Sequence, residues 1–154
     1  MNIRRATCND IDQINALLYQ VLTVHHNGRP DLFRENAKKY TDEELKTILT
    51  DDKTPVFVAE DGQDILGYAF CIFQKPKSAI LTDVKTLYID DLCVEEKARG
   101  KHIGRQLYEF VLNFARQQNC YNVTLNVWAC NKTAIQFYEN CGMQPQKIGM
   151  EKIL

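Results

Sequence analysis

Three groups of residues have the types and spacing to do chemistry. The first is the run Arg99, Gly100, Lys101, His102, Ile103, Gly104 and Arg105, where a strand-like segment gives way through two glycines to helical periodicity. Backbone N–H groups and the helix dipole converge at such a junction. Gly100 and Gly104 let the backbone approach a ligand closely, and Arg99, Lys101 and Arg105 surround the spot with positive charge, an arrangement suited to a pyrophosphate. A basic turn that only caps a helix would carry the same residues. The second group is the carboxylate pair Asp90 and Asp91, within Tyr88 to Val94. It can act as a general base, pair with a neighbouring Arg or Lys, or attract a cationic ligand. The strand's pleat decides which of the two faces a cleft, and a bulge there exchanges them. The third is Tyr138, which shares a helical face with Ala134 and Cys141 and on spacing alone is a packed aromatic.

Other reactive types lead to weaker expectations. Cys93 lies beside the carboxylate pair, but a nucleophilic thiol needs an activating base, and only His25 and His26 offer a histidine partner. The six cysteines are scattered, without CxxC pairs or the Cys/His spacing of a zinc site, so reduced thiols and no metal are expected. His25, His26 and Asp31, in a stretch rich in turn formers, are candidates to read a polar ligand, although paired histidines in a loop are as readily solvated. Trp128, at a strand end, can stack on a ligand or belong to the core.

Bulk properties narrow the partners. A 154-residue chain with 45% hydrophobic and 25% charged residues fits one domain, residues 1–154, around one core. A net charge of -1 lacks the basic field of a nucleic-acid binder, and no apolar run is long enough to cross a bilayer. The N-terminal MNIRRATCNDIDQI enters an amphipathic pattern without the apolar core of a secretory signal, so a cytoplasmic protein is expected. A monomer and a homodimer are both compatible with the sequence.

The elements that must position these groups can be read from periodicity. Ile3 to Arg5 predicts a first strand, and Ile11, Ile14, Leu17, Leu18, Val21 and Leu22 predict a helix capped by Asn9 or Asp10. His25 to Phe33 reads as turn. Thr41 and Glu44 form a capping box opening a second helix toward Leu49, expected to be a lid. Val56 to Glu60 and Ile65 to Phe73 read as a hairpin across Asp61-Gly62, and Leu87 to Val94 as a further strand. Ile103, Leu107, Phe110, Val111 and Phe114 predict the next helix, followed by a strand through Val123, Leu125 and Val127. A short helix then runs from Lys132 to Asn140, closing at Gly142. One or two terminal strands are expected in Met143 to Leu154, with Pro145 restricting the first to an edge or bulge. This order implies an α/β protein with a mixed sheet.

The Arg99 to Gly104 loop resembles the acyl-CoA pyrophosphate loop of the Gcn5-related N-acetyltransferases, an Arg/Gln-x-x-Gly-x-Gly/Ala pattern between a strand and a helix. It matches at Arg99 and Gly104 and departs at His102, where the family usually has glycine; histidine visits positive φ more readily than most residues. LNVWACNKTAIQFYENCGM, Leu125 to Met143, resembles the family's later strand and helix, with Met143 in place of the more common phenylalanine. The resemblance implies a central mixed twisted sheet flanked by helices and direct acetyl transfer from acetyl-CoA to an amine in a ternary complex, without a metal. It places the cosubstrate against Leu92, Cys93, Val94, the Arg99 to Arg105 loop, Asn131, Ala134 and Tyr138. Tyr138 matches the usual catalytic tyrosine, and a backbone N–H of Cys93 or Val94 would face the developing oxyanion. YIDDLCV looks like the Glu-Asp strand of the diamine acetyltransferases, with Asp90 at their proposed base. Protein-acetylating members usually have glutamate where this chain has Asn126, which cannot act as a base but can bind substrate. A small cationic amine is therefore the expected acceptor, with a protein or peptide amine, or a non-catalytic acyl-CoA-binding regulatory module, as the alternatives.

Overall fold

The computed structural model describes residues 1–154. Its elements are β1 (Asn2–Arg5), α1 (Ile11–Gly28), α2 (Asp42–Thr50), β2 (Val56–Asp61), β3 (Asp64–Gln74), β4 (Thr86–Val94), α3 (Ile103–Gln117), β5 (Asn122–Leu125) and α4 (Lys132–Asn140). The five strands form one sheet in the order β1-β2-β3-β4-β5, antiparallel except for the parallel β4–β5 pair. The fold is therefore α/β with the expected mixed sheet.

The period of two in β2 separates the faces of the sheet. Val56 and Val58 pack with Ile14, Leu17 and Leu18 of α1 and Leu45 and Leu49 of α2. Phe57 turns to the opposite face, where Leu87 and Ile89 of β4 meet Tyr108, Val111 and Ala115 of α3. The buried residues of α3, spaced at three, four and one, form one apolar stripe. Gly67 lets β3 and β4 close together, because a Cβ there would stand 2.6 Å from the Cys93 carbonyl oxygen.

Most sequence expectations for the elements hold. Gly62 takes φ 64 in the Asp61-Gly62 hairpin, and Thr41 and Glu44 form the reciprocal capping box of α2. Several expectations are corrected. The strand through Val123 and Leu125 stops at Leu125 and does not reach Val127. α1 continues through His25 and His26 to Gly28, and the Arg29 N–H still bonds the His25 carbonyl, because the turn formers begin in earnest only at Arg29-Pro30. α2 is not a free lid, since Leu45 and Leu49 are core residues. The tail from Met143 forms no strand: Pro145 lacks a donor, and Ile148, Met150 and Ile153 stand exposed.

Asp10 does not cap α1 with its side chain. It accepts two bonds from Arg4, at 2.8 and 2.9 Å, and one from the Thr7 N–H at 2.7 Å, tying β1 to the start of α1. The Arg4 guanidinium holds its carboxyl below the usual carboxylate range. Asp10→Asn should cost about 2 kcal/mol in urea unfolding at neutral pH. Because the folded pKa is depressed, the stabilisation is present above the unfolded value of about 3.9 and is lost as pH falls through the lower folded one. The difference between the two proteins should close in that window.

Candidate active site

β4 carries the site, and a bulge in it decides which side chains meet. Phe70 of β3 pairs with Asp91 and Cys71 pairs with Ile89, so Asp90 has no partner across the ladder. Adjacent residues of a regular strand point to opposite faces, and the extra residue cancels that alternation. Both carboxylates consequently reach one cation, the Lys39 ammonium, at 3.1 Å from Asp90 Oδ2 and 3.5 Å from Asp91 Oδ2. Tyr40 Oη donates to Asp90 at 3.3 Å and Tyr68 Oη to Asp91 at 3.0 Å.

The two carboxylates differ in environment. The Asp91 side chain is 9% exposed and that of Asp90 28%. Burial raises the Asp91 pKa above the ordinary carboxylate value, although Lys39 and the Tyr68 hydrogen bond pull the other way. Burial also works against the Lys39 charge, but the Asp91 and Asp90 carboxylates outweigh it and hold the lysine pKa above its usual value. His25 lies within reach of the same field: desolvation lowers its pKa while the Asp91 charge opposes that shift.

An opening lies beside these groups. The β4–β5 ladder ends at Ile89 and Leu125, whereas β4 runs on to Val94. The Glu95 N–H donates to the Leu66 carbonyl, so in the regular ladder the Cys93 N–H also turns toward β3, and those of Leu92 and Val94 turn to the edge that β5 leaves free. Tyr138 of α4 is half-buried and packs against the cluster that contains Leu87, Ile89 and Tyr108. Burial, and next the charge of Asp91, raise its pKa above that of an ordinary tyrosine, so the phenol keeps its proton at neutral pH. The Cys93 thiol donates to the Leu17 carbonyl at 3.7 Å, and burial with the Asp91 charge pushes its pKa up to about 12. Such a thiol is a poor nucleophile.

The loop after β4 is built as an anion cradle. Ala98 is buried as its anchor, Gly100 takes φ 80, and His102 takes φ 60 and ψ 14 as the N-cap of α3. The imidazole-bearing residue thus adopts the left-handed conformation at the position where the resembled loop has glycine. The first α3 amide to reach a helical acceptor is that of Gln106, on the His102 carbonyl, which leaves those of Ile103, Gly104 and Arg105 at the open helix end. The basic side chains are less concentrated on this spot than their spacing suggests. Arg99 bonds the Val94 carbonyl at 3.3 Å, and Arg105 pairs with Glu109 at 3.0 Å, while Lys101 is exposed.

The remaining sequence candidates divide. Asn131 caps α4, its side-chain oxygen accepting from the Ala134 N–H at 3.1 Å, which leaves its NH2 group for other contacts. Asn126 donates to Tyr88 Oη at 3.2 Å. Trp128 stacks edge-on against Phe33 at 5.1 Å, and Phe33 packs on His25 at 5.0 Å, so these three form one aromatic wall. His26 is hydrogen bonded to the Phe33 carbonyl at 2.8 Å. Asp31 is held by Arg29, which also pairs with Glu151 of the tail. The resemblance implies an acceptor pocket walled roughly by His25 to Tyr40 with Phe70 and Trp128, a segment that holds Lys39 and Tyr40, but it singles out neither of them nor Tyr68, because only the tertiary fold brings these side chains onto Asp90 and Asp91. No group of three or more His, Cys, Asp or Glu side chains is arranged to hold a metal ion, and no helix is long and apolar enough to cross a membrane.

Comparison with known proteins gives a consistent picture. The sequence profile of the acetyltransferase (GNAT) family matches residues 21–143. An uncharacterised N-acetyltransferase of Archaeoglobus fulgidus is 28% identical over 155 aligned positions, covering 97% of both chains. Glucosamine 6-phosphate N-acetyltransferase of Arabidopsis thaliana is 37% identical over 68 residues, and that match spans less than half, 44%, of either chain. The crystal structure of a mutant of the BH1408 protein from Bacillus halodurans superposes with a TM-score of 0.95 at 32% identity, covering 100% of this chain and 99% of that one.

Proposed function

Because this chain belongs to the acetyltransferase (GNAT) family, we propose that it transfers the acetyl group of acetyl-CoA to a primary amine of a small cationic molecule, by direct attack in a ternary complex. The observation that carries this reading is the ammonium already held there: Lys39 Nζ between Asp90 and Asp91, with Tyr40 and Tyr68 bonded to the same carboxylates. A cage that accepts one ammonium has the charge and hydrogen-bond acceptors to accept another.

Acetyl-CoA supplies an activated thioester. The Ile103, Gly104 and Arg105 amides at the head of α3 fit its pyrophosphate, with Gly100 and His102 in the left-handed turn that exposes them. The free edge of β4 fits the pantetheine arm, and the outward Val94 N–H is the better-placed of the two candidate donors for negative charge on the reacting oxygen, since Cys93 donates toward β3. Asp91, buried and with a raised pKa, takes the proton that the ammonium must lose, and Asp90 holds the cation beside it. Tyr138, protonated at neutral pH, gives a proton to the departing sulfur. Asn126 orders the acceptor's side of the opening through Tyr88.

The test is free-CoA release from acetyl-CoA over linear polyamines, aminoglycosides, glucosamine 6-phosphate, amino acids and short peptides, against a no-amine control. Release should depend on the amine and be fastest for acceptors with two or more positive charges. Release by peptides alone would replace this acceptor class with a protein or peptide amine. Acetyl-CoA binding without release by any amine would leave a regulatory module.

A further inference from the structure

The Lys39 side chain does more than mark where an ammonium binds. We propose that Lys39 Nζ is itself an acetyl acceptor, so that the chain acetylates its own Lys39 when acetyl-CoA is present and no outside amine competes. This rests on the transferase reading given above.

The juxtaposition that points to it is specific to one lysine. Lys39 Nζ lies 3.1 and 3.5 Å from the two carboxylates of the β4 bulge, and its side chain is 29% exposed. Among the other lysines, Lys38, Lys46 and Lys75 pair with Asp42, Glu43 and Asp83 on the surface, away from β4. The amine faces a largely buried carboxylate that also accepts from a tyrosine, Tyr68 Oη at 3.0 Å, which the surface ion pairs of this chain do not share. The segment Arg29 to Thr41, which carries Lys39, has no helix or strand. Its position is instead fixed by side chains: Tyr19 Oη donates to Asn36 at 2.6 Å, and Tyr40 stacks on Phe70 at 6.0 Å between ring centres.

The step balances. Asp91 takes one proton from the Lys39 ammonium, and the freed lone pair forms the N–C bond to the acetyl carbonyl carbon. The C–S bond breaks with its electron pair on sulfur, which takes the Tyr138 proton, and the second proton shed by Nζ as the amide forms restores Tyr138. The products are acetyl-Lys39, CoA thiol and one proton, which Asp91 passes to solvent. Burial raises the Asp91 pKa, while the carboxylates hold that of Lys39 up, so this proton transfer is uphill and self-acetylation is slower than transfer to an outside amine.

The full chain, incubated with radiolabelled acetyl-CoA and no amine, should gain one acetyl group, mapped to Lys39 by tandem mass spectrometry. The rate per molecule should be independent of protein concentration and about 10²-fold above that of Lys97 or Lys101, lysines left to uncatalysed chemistry. Lys39→Arg should abolish the fast label and leave only the slow uncatalysed background, and Tyr138→Phe should slow labelling at Lys39 about 10²-fold while leaving Lys97 and Lys101 unchanged. Urea unfolding of each variant confirms that it is folded. Label absent from Lys39, or present there at the same rate in Tyr138→Phe, overturns the proposal. Amine-dependent CoA release with unmodified Lys39 sinks only this inference. Tyr138-dependent label at Lys39 with no release by any outside amine sinks only the small-amine acceptor reading.

Discussion

Asp91→Asn should lower kcat/KM by about 10² to 10⁴, the loss expected for removing a positioned general base. Asparagine fills the same space and can still accept from Tyr68, so packing under β4 should survive while the proton acceptor is gone. Asp90→Asn should act mainly on KM, because Asp90 is the more exposed of the two and holds the Lys39 cation without comparable burial. The pH profile separates the roles. The rate of the wild-type chain should rise with pH as Asp91 ionises, and burial places that limb above the ordinary carboxylate value of about 3.9. The positive charge of Lys39 lowers the Asp91 pKa, so Lys39→Met should move the limb further up. Asp91→Asn should abolish it. An Asp91→Asn protein with wild-type kcat/KM and an unchanged acid limb would remove Asp91 from the chemistry.

Tyr138→Phe should reduce kcat by about 10²-fold or more while acetyl-CoA binds almost as before. The ring contacts to Phe137 at 5.1 Å and Tyr108 at 6.4 Å remain available to phenylalanine, so the packing of α4 is kept and only the hydroxyl is lost. Burial and the Asp91 charge both disfavour the phenolate, which makes the phenol a proton donor and a poor base at neutral pH. Steady-state turnover alongside calorimetric binding of acetyl-CoA checks the split. Unchanged turnover would leave Tyr138 as a packed aromatic.

What the sequence conveyed, and what it did not, follows from the range of the interactions. The α3 stripe, the Asp61-Gly62 hairpin, the Thr41–Glu44 box and the α4 boundaries depend on residues within a few positions of one another, and all appear where local periodicity and caps put them. His25 and His26 looked like loop because Asn27-Gly28 and Pro30 follow closely, yet α1 runs through them and thereby brings His25 under the field of Asp91. One or two strands are expected in the tail, but Ile148 and Met150 stand exposed and find no partner ladder. At the site, the sequence offered two adjacent aspartates and the choice between them. The bulge at Asp90 makes that choice unnecessary for cation binding, because both face Lys39. Lys39 itself carried no local signal: its partners lie 51 and 52 residues away.

The central claim is that the Asp90–Asp91 pair is a binding site for an ammonium acceptor. It is tested most directly by calorimetric titration of a linear polyamine into the chain saturated with CoA, which cannot turn over. The wild-type chain should bind, and an Asp90→Asn, Asp91→Asn double variant should lose at least about tenfold in affinity, a loss of about 1.4 kcal/mol or more. Equal binding by both proteins would contradict the claim.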